Sequence, residues 1–299
     1  MQTIRSAADA ITDKLPIPRP GLGRGNDAPD LIPGASPALI HTAAEGMTVA
    51  LYPGCMTTMF YPEQADAIAT VLNALGVAVI APENLHCCGL IPHNSGDAKH
   101  ARPMIERTIK RLEAIPADYI ISGSASCVAM IAQDYLHVLR NDPVWHARAE
   151  RLANRIVDFT SFLVNVAQLP AGALTPLDGG TYALTYHDSC QGLNALGLRA
   201  EPRYLLQDVM GYELRELGEV LCCGFGGSFS LEYPLISERL MNRKLANAEA
   251  TGAPLLATDN QGCLMHLRGG ADASGRRLQV KHLAELLADR VRERQVAAG

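Results

Sequence analysis

Short apolar runs alternate along the chain with longer amphipathic stretches. Thr48–Leu51 and residues 77–81 are apolar runs of strand length. Between them, Ala67, Ile68, Val71, Leu72 and Leu75 recur on one side of residues 63–75, and Gly76 supplies a stop, which is the period and ending of a helix. Asn94 or Ser95 caps a second helix running through Met104, Ile105, Ile109 and Leu112 to about residue 114, and a third strand, Tyr119–Ser122, leads to another helical stretch. The same order returns later: a strand over 182–186, a helix over 202–210, a strand over 213–217, a helix over Pro234–Ala250 and a strand over 254–258. Each half therefore reads β-α-β-α-β-α. That order defines an α/β fold of two pseudo-symmetric β/α repeats, with parallel sheets joined by right-handed crossovers.

Around this pattern the chain divides into an extended arm at 1–46, a first β/α unit at 47–143, a connector at 144–180, a second unit at 181–275 and a terminal helix at 276–299. Residues 15–37 of the arm hold six prolines, so they read as disordered or laid along a partner. The connector is helical in pattern over 145–168. The terminal helix carries Leu278, Leu283, Leu286, Leu287 and Val291 on one face.

Composition narrows the class. At 299 residues, 48% hydrophobic and 19% charged, the chain is neither disordered nor collagen-like, and it is too long to depend on disulfide staples. The net charge of −5 comes without any basic stripe, which argues against a nucleic-acid partner. No apolar run reaches the length of a membrane span, and residues 1–14 lack the apolar segment of a secretory signal. A cytoplasmic location follows as the expectation. Reducing conditions there disfavour disulfides, so the eight cysteines point to metal or redox chemistry.

The cysteines are Cys55, Cys87, Cys88 and Cys127, then Cys190, Cys222, Cys223 and Cys263, at offsets of 135, 135, 135 and 136. The halves read C-x31-C-C-G-x37-C and C-x31-C-C-G-x38-C, the mark of a duplicated unit. Each cysteine follows the carboxyl end of an expected strand, where open parallel sheets gather their ligands. Thiolates select zinc, copper(I) or iron–sulfur clusters. Structural zinc sites favour C-x2-4-C knuckles, which both halves lack, and adjacent cysteines diverge in a way that suits a cluster several ångström across. Gly89 and Gly224, after the paired cysteines, let backbone approach the sulfurs and offer N–H donors.

The doubled motif Cys55/Cys87-Cys88-Gly89/Cys127 and Cys190/Cys222-Cys223-Gly224/Cys263 resembles the duplicated CCG, or cysteine-rich, domain family. That family includes the cysteine-rich subunit of heterodisulfide reductase, the glycolate oxidase iron–sulfur subunit and the lactate utilisation A proteins, and residues 48–290 are covered. The lack of any C-x2-C-x2-C-x3-C run makes the chain most similar to the lactate utilisation type. The resemblance implies an iron–sulfur electron-transfer subunit of an oxidoreductase complex that oxidises a 2-hydroxy acid, L-lactate to pyruvate. Its partners would be other iron–sulfur or flavin subunits. All eight cysteines would be cofactor and metal ligands, with one 4Fe-4S cluster per half. In heterodisulfide reductase each motif ends in C-x-x-C, whereas Ser124 and Asn260 stand at those places here; four thiolates per half suit an ordinary cubane. A heterodisulfide reductase-like thiol–disulfide reductase and a zinc-stabilised scaffold are the alternatives, as is zinc in one half beside a cluster in the other.

Several other residues lie near these cysteines. His187 reads either as a donor to a cluster sulfur or proton carrier oriented by Asp188, or as a strand-end histidine with its hydrogen bonds satisfied. His86 precedes the first cysteine pair, and His93 follows it more distantly. Phe225-Gly226-Gly227 replaces Leu90-Ile91-Pro92 of the first half. It matches neither a dinucleotide fingerprint nor a P-loop, and reads as close packing over the second site.

Overall fold

The computed structural model describes residues 31–32, 38–83 and 85–298. Apart from Leu31 and Ile32, the proline-rich part of the arm lies outside the described residues. The first sheet has the order β1-β3-β2-β4-β5, formed by β1 (Leu31–Ile32), β2 (Thr48–Leu51), β3 (Ala78–Ile80), β4 (Tyr119–Ser122) and β5 (Ile156–Asp158). The second has the order β7-β6-β8-β9, formed by β6 (Ala183–His187), β7 (Glu213–Leu214), β8 (Leu255–Thr258) and β9 (Gln279–His282). All pairs are parallel except β1 with β3, where Leu31 opposes Ile80 in antiparallel register.

The duplication extends to register. Thr48 pairs with Ala78 and Ala50 with Ile120; in the second sheet Ala183 pairs with Glu213 and Thr185 with Leu256, at the offsets of the cysteines. Each half gains a fourth strand that the periodicity does not predict. β5 lies inside the stretch read as helical connector, and β9 occupies the expected start of the terminal helix, which instead runs Leu283–Ala298. Both strands are short and sit at sheet edges. Their conformation comes from pairing with β4 and β8 rather than from an apolar run of their own.

Both faces of each sheet are buried, so successive strand residues enter different cores. Val49, Leu51 and Ile121 face a core shared with Leu184, Tyr186 and Ala257 of the second sheet. Ala50, Ile80 and Ile120 pack outward with Ile105, Ile109 and Leu112, and Leu256 and Val280 pack outward with Leu245 and Leu267. The terminal helix Leu283–Ala298 joins the shared core and packs on the helix Pro62–Ala74 of the first half. The two repeats are therefore interlocked. Among the described residues no helix is long and apolar enough to cross a membrane.

Candidate metal centres at the strand ends

The sheet topology brings the cysteines of each half together. Cys55 lies in the first turn of the helix Gly54–Phe60, which begins just after β2, and Cys127 lies in the helix Ala125–Ala129 just after β4. Cys87 and Cys88 sit on the loop after β3. The sulfurs of Cys55 and Cys87 are 3.7 Å apart, as are those of Cys88 and Cys127. In the second half Cys223 and Cys263 are 3.2 Å apart, and Cys190 is hydrogen-bonded to Cys222. All eight are free thiols, and these separations exceed the roughly 2.05 Å of a disulfide. Each Cys-Cys dipeptide is thus split, one sulfur paired with the cysteine after the first strand and the other with the cysteine after the third.

In the pairs Cys55/Cys87, Cys190/Cys222 and Cys223/Cys263 one sulfur is favoured as the thiolate. Hydrogen bonds from Cys55 and Cys88, together with the Gly89 amide, lower Cys87 to about 3. Those from Cys190 and Cys223, with the Gly224 amide, lower Cys222 to about 2. Cys263 is lowered to about 6, first by Cys223 and then by the nearby His187. Their partners Cys55, Cys88, Cys190 and Cys223 are pushed up, because each keeps the proton it donates. Thiolate is the metal-binding form, so the sites hold their ligands part-way to that state.

The paired-cysteine loops are held by backbone contacts. The buried Tyr52 donates to the His86 carbonyl at 2.5 Å, and the buried Tyr135 donates to the Cys88 carbonyl at 2.8 Å. Tyr135→Phe removes the second anchor with little change of shape. We expect a loss of about 1–2 kcal/mol in denaturant unfolding. Gly89 and Gly224 both have φ of 90°, a conformation that turns the chain sharply after the cysteines. In the second half this turn aims the Gly224 N–H at Cys222 Sγ (3.3 Å) and the Phe225 N–H at Cys223 Sγ (3.5 Å).

The other sequence candidates separate. His86 gives its carbonyl to Tyr52, while burial and then Arg107 and Arg111 hold its imidazole below the usual pKa. His93 lies at the end of the helix Leu90–Asn94, with no contact to sulfur among the described residues. Asp188 does not orient His187. Its two oxygens, both at 2.9 Å, are held in a bidentate pair by Arg203, which also binds Glu216. His187 is 1% exposed, and its ring has no oxygen or nitrogen partner; its polar neighbour is the Cys263 thiol. A Cβ on Gly262, beside Cys263, would lie 2.7 Å from Phe225, so Phe225 closes over the cysteine-bearing helix.

Residues outside the cysteine set join the two sites. Asn260 caps the Cys263 helix by accepting from the amides of Gly262 and Cys263, and donates to Ser126 Oγ at 2.9 Å, next to Cys127. The Gly123 carbonyl accepts from Gln261 and lies 3.0 Å from His282 Nε2. Lys244, 1% exposed, is held below its usual pKa by burial, against the opposing pull of Cys223 and Asp188; the first half has Ile109 at the offset of 135.

Asp158 and Asp259, at the ends of β5 and β8, are both buried. Desolvation and then the charge of Asp259 raise Asp158 to about 8 from its ordinary 3.8. Between these values the folded chain binds more protons than the unfolded one. Stability is accordingly predicted to fall as pH rises through this window and to level off above it. In Asp158→Asn, pH-dependent unfolding should show a slope less negative by up to about 1.4 kcal/mol per pH unit.

Fold and site together define a duplicated parallel α/β protein carrying four clustered thiols at the strand ends of each half, a metal-binding arrangement. The CCG cysteine-rich domain matches twice, at residues 49–132 and 184–268. The chain belongs to this family. It is 37% identical to lactate utilization protein A of Bacillus velezensis over 82% of this chain and all of that one. It is also 37% identical to lactate utilization protein A of Shouchella clausii, over 81% of this chain and 98% of that one. Among solved structures, a hypothetical protein from Helicobacter pylori superposes with a TM-score of 0.61 at 10% identity, covering 87% of this chain and 52% of that one, which is a likeness of fold.

Proposed function

We propose that the chain is the iron–sulfur electron-transfer subunit of a complex that oxidises L-lactate to pyruvate, with one 4Fe-4S cluster in each half. The observation that carries this reading is the split of both cysteine pairs. Adjacent residues send their sulfurs to different partners in each half. A set of four thiols spread in this way suits a cluster better than a single ion at the centre of a knot. The N–H donors at Cys222 and Cys223 support it, because such bonds stabilise charge on cluster sulfurs. A cluster supplies single-electron storage. The chain's part is to hold it by the thiolates and to keep water from the buried pairs Cys88/Cys127 and Cys223/Cys263.

Lactate as the electron source is supported by the names of the relatives. Dehydrogenation is assigned to a partner subunit, and this chain carries the electrons onward. Anaerobic protein mixed with its partner subunits should show a broad absorbance near roughly 400 nm that bleaches on addition of L-lactate. A spectrum unchanged by lactate under those conditions would count against the reading. The exposure of Cys190 and Cys222 favours a second reading, a thiol–disulfide reductase with an open site edge. Reduction of a mixed disulfide by the isolated chain would support that alternative.

A further inference from the structure

The two halves differ at the position that follows β2 in the first and ends β6 in the second. At the offset of 135, Tyr52 in the first half corresponds to His187 in the second. Tyr52 is long enough to reach past its cysteines, and its hydroxyl is satisfied by the His86 carbonyl at 2.5 Å. The shorter imidazole of His187 stops beside the sulfurs. A ring nitrogen and the Sγ atoms of Cys223 and Cys263 all lie within 4.8 Å of one another. The ring is 1% exposed and has no oxygen or nitrogen partner; the polar group it faces is the Cys263 thiol. The nearest acid in sequence, Asp188, is committed to Arg203. Asn260, at the place of a further cysteine in the fuller motif, is committed to capping the Cys263 helix. The second half therefore has one unused, buried, metal-ligating nitrogen beside its thiols, and at the equivalent place the first half has a satisfied tyrosine.

We infer that His187 is a protein ligand, through a ring nitrogen, to the iron centre of the second half. That half then offers four thiolates and one imidazole, whereas the first offers four thiolates. A ligand present on one centre and absent from the other changes the electronics of that centre, so the two centres differ in potential.

The inference rests on the proposed iron centres, and its test separates the two. Full-length protein is produced anaerobically with 15N-labelled histidine, its iron and sulfide are measured, and the reduced state is examined by pulsed EPR. The expected result is a histidine nitrogen coupling on one of two centres, absent in His187→Gln, with the midpoint potential of that centre shifted and the other unchanged. His187→Tyr, which places the first-half residue in the second half, should lose the coupling too. Iron and sulfide present without a histidine coupling, or a coupling that persists in both variants, would overturn the ligand and leave the proposed function standing. Protein without iron overturns both.

Discussion

Cys88→Ser and Cys223→Ser are each expected to lose the metal of one half and keep that of the other. Both residues are buried, at 2% and 3% exposure, and each pairs with the cysteine after the third strand of its half, Cys127 or Cys263. Serine fills nearly the same space, so the fold is retained. Its hydroxyl is a hard, weakly acidic ligand where iron–sulfur chemistry selects a soft thiolate. Iron and acid-labile sulfide should drop by about half in each single variant and to background in the double variant. Electron flow from lactate through the assembled complex should stop in all three. Retention of full iron content in either single variant would remove that cysteine from the ligand set.

The second large effect falls on one glycine of a matched pair. Gly89 and Gly224 share φ of 90°, so alanine at either position meets the same backbone strain of about 1–2 kcal/mol. Their surroundings differ. A Cβ on Gly89 would meet ordinary contacts at 3.5 Å and beyond, whereas one on Gly224 would lie 2.6 Å from the Ser237 carbonyl oxygen and 2.9 Å from Leu240 Cβ. The helix Pro234–Ala250 must then move away from the cysteine loop. Gly224→Ala is expected to destabilise the chain by about 3 kcal/mol or more, and Gly89→Ala by about 1–2 kcal/mol. Chemical denaturation of the two variants checks the difference. Equal losses would show that the second loop relaxes as freely as the first.

The duplication was legible in the sequence because cysteine spacing does not depend on packing: offsets of 135 and 136 carry straight into the strand registers. The parallel α/β architecture followed from the alternation of apolar runs and helical periods. The fourth strands β5 and β9 did not, since three or four residues at a sheet edge are too few to show a period and owe their conformation to their neighbours. Aligning the halves at the offset of 135 places His187 against Tyr52, and this difference was available from sequence; that the ring lies buried beside Cys223 and Cys263 was not. The same holds for Asp158 and Asp259, brought together by sheet topology from distant parts of the chain, and for Asn260, whose bond to Ser126 appears only once the halves pack.

On the proposed function, each half binds an iron–sulfur cluster through its cysteine thiolates. Metal and acid-labile sulfide content of the anaerobically purified full chain tests it most directly. Iron and sulfide are expected in equal amounts, at about eight of each per chain for two 4Fe-4S clusters, with zinc at background. Stoichiometric zinc without iron or sulfide would contradict it.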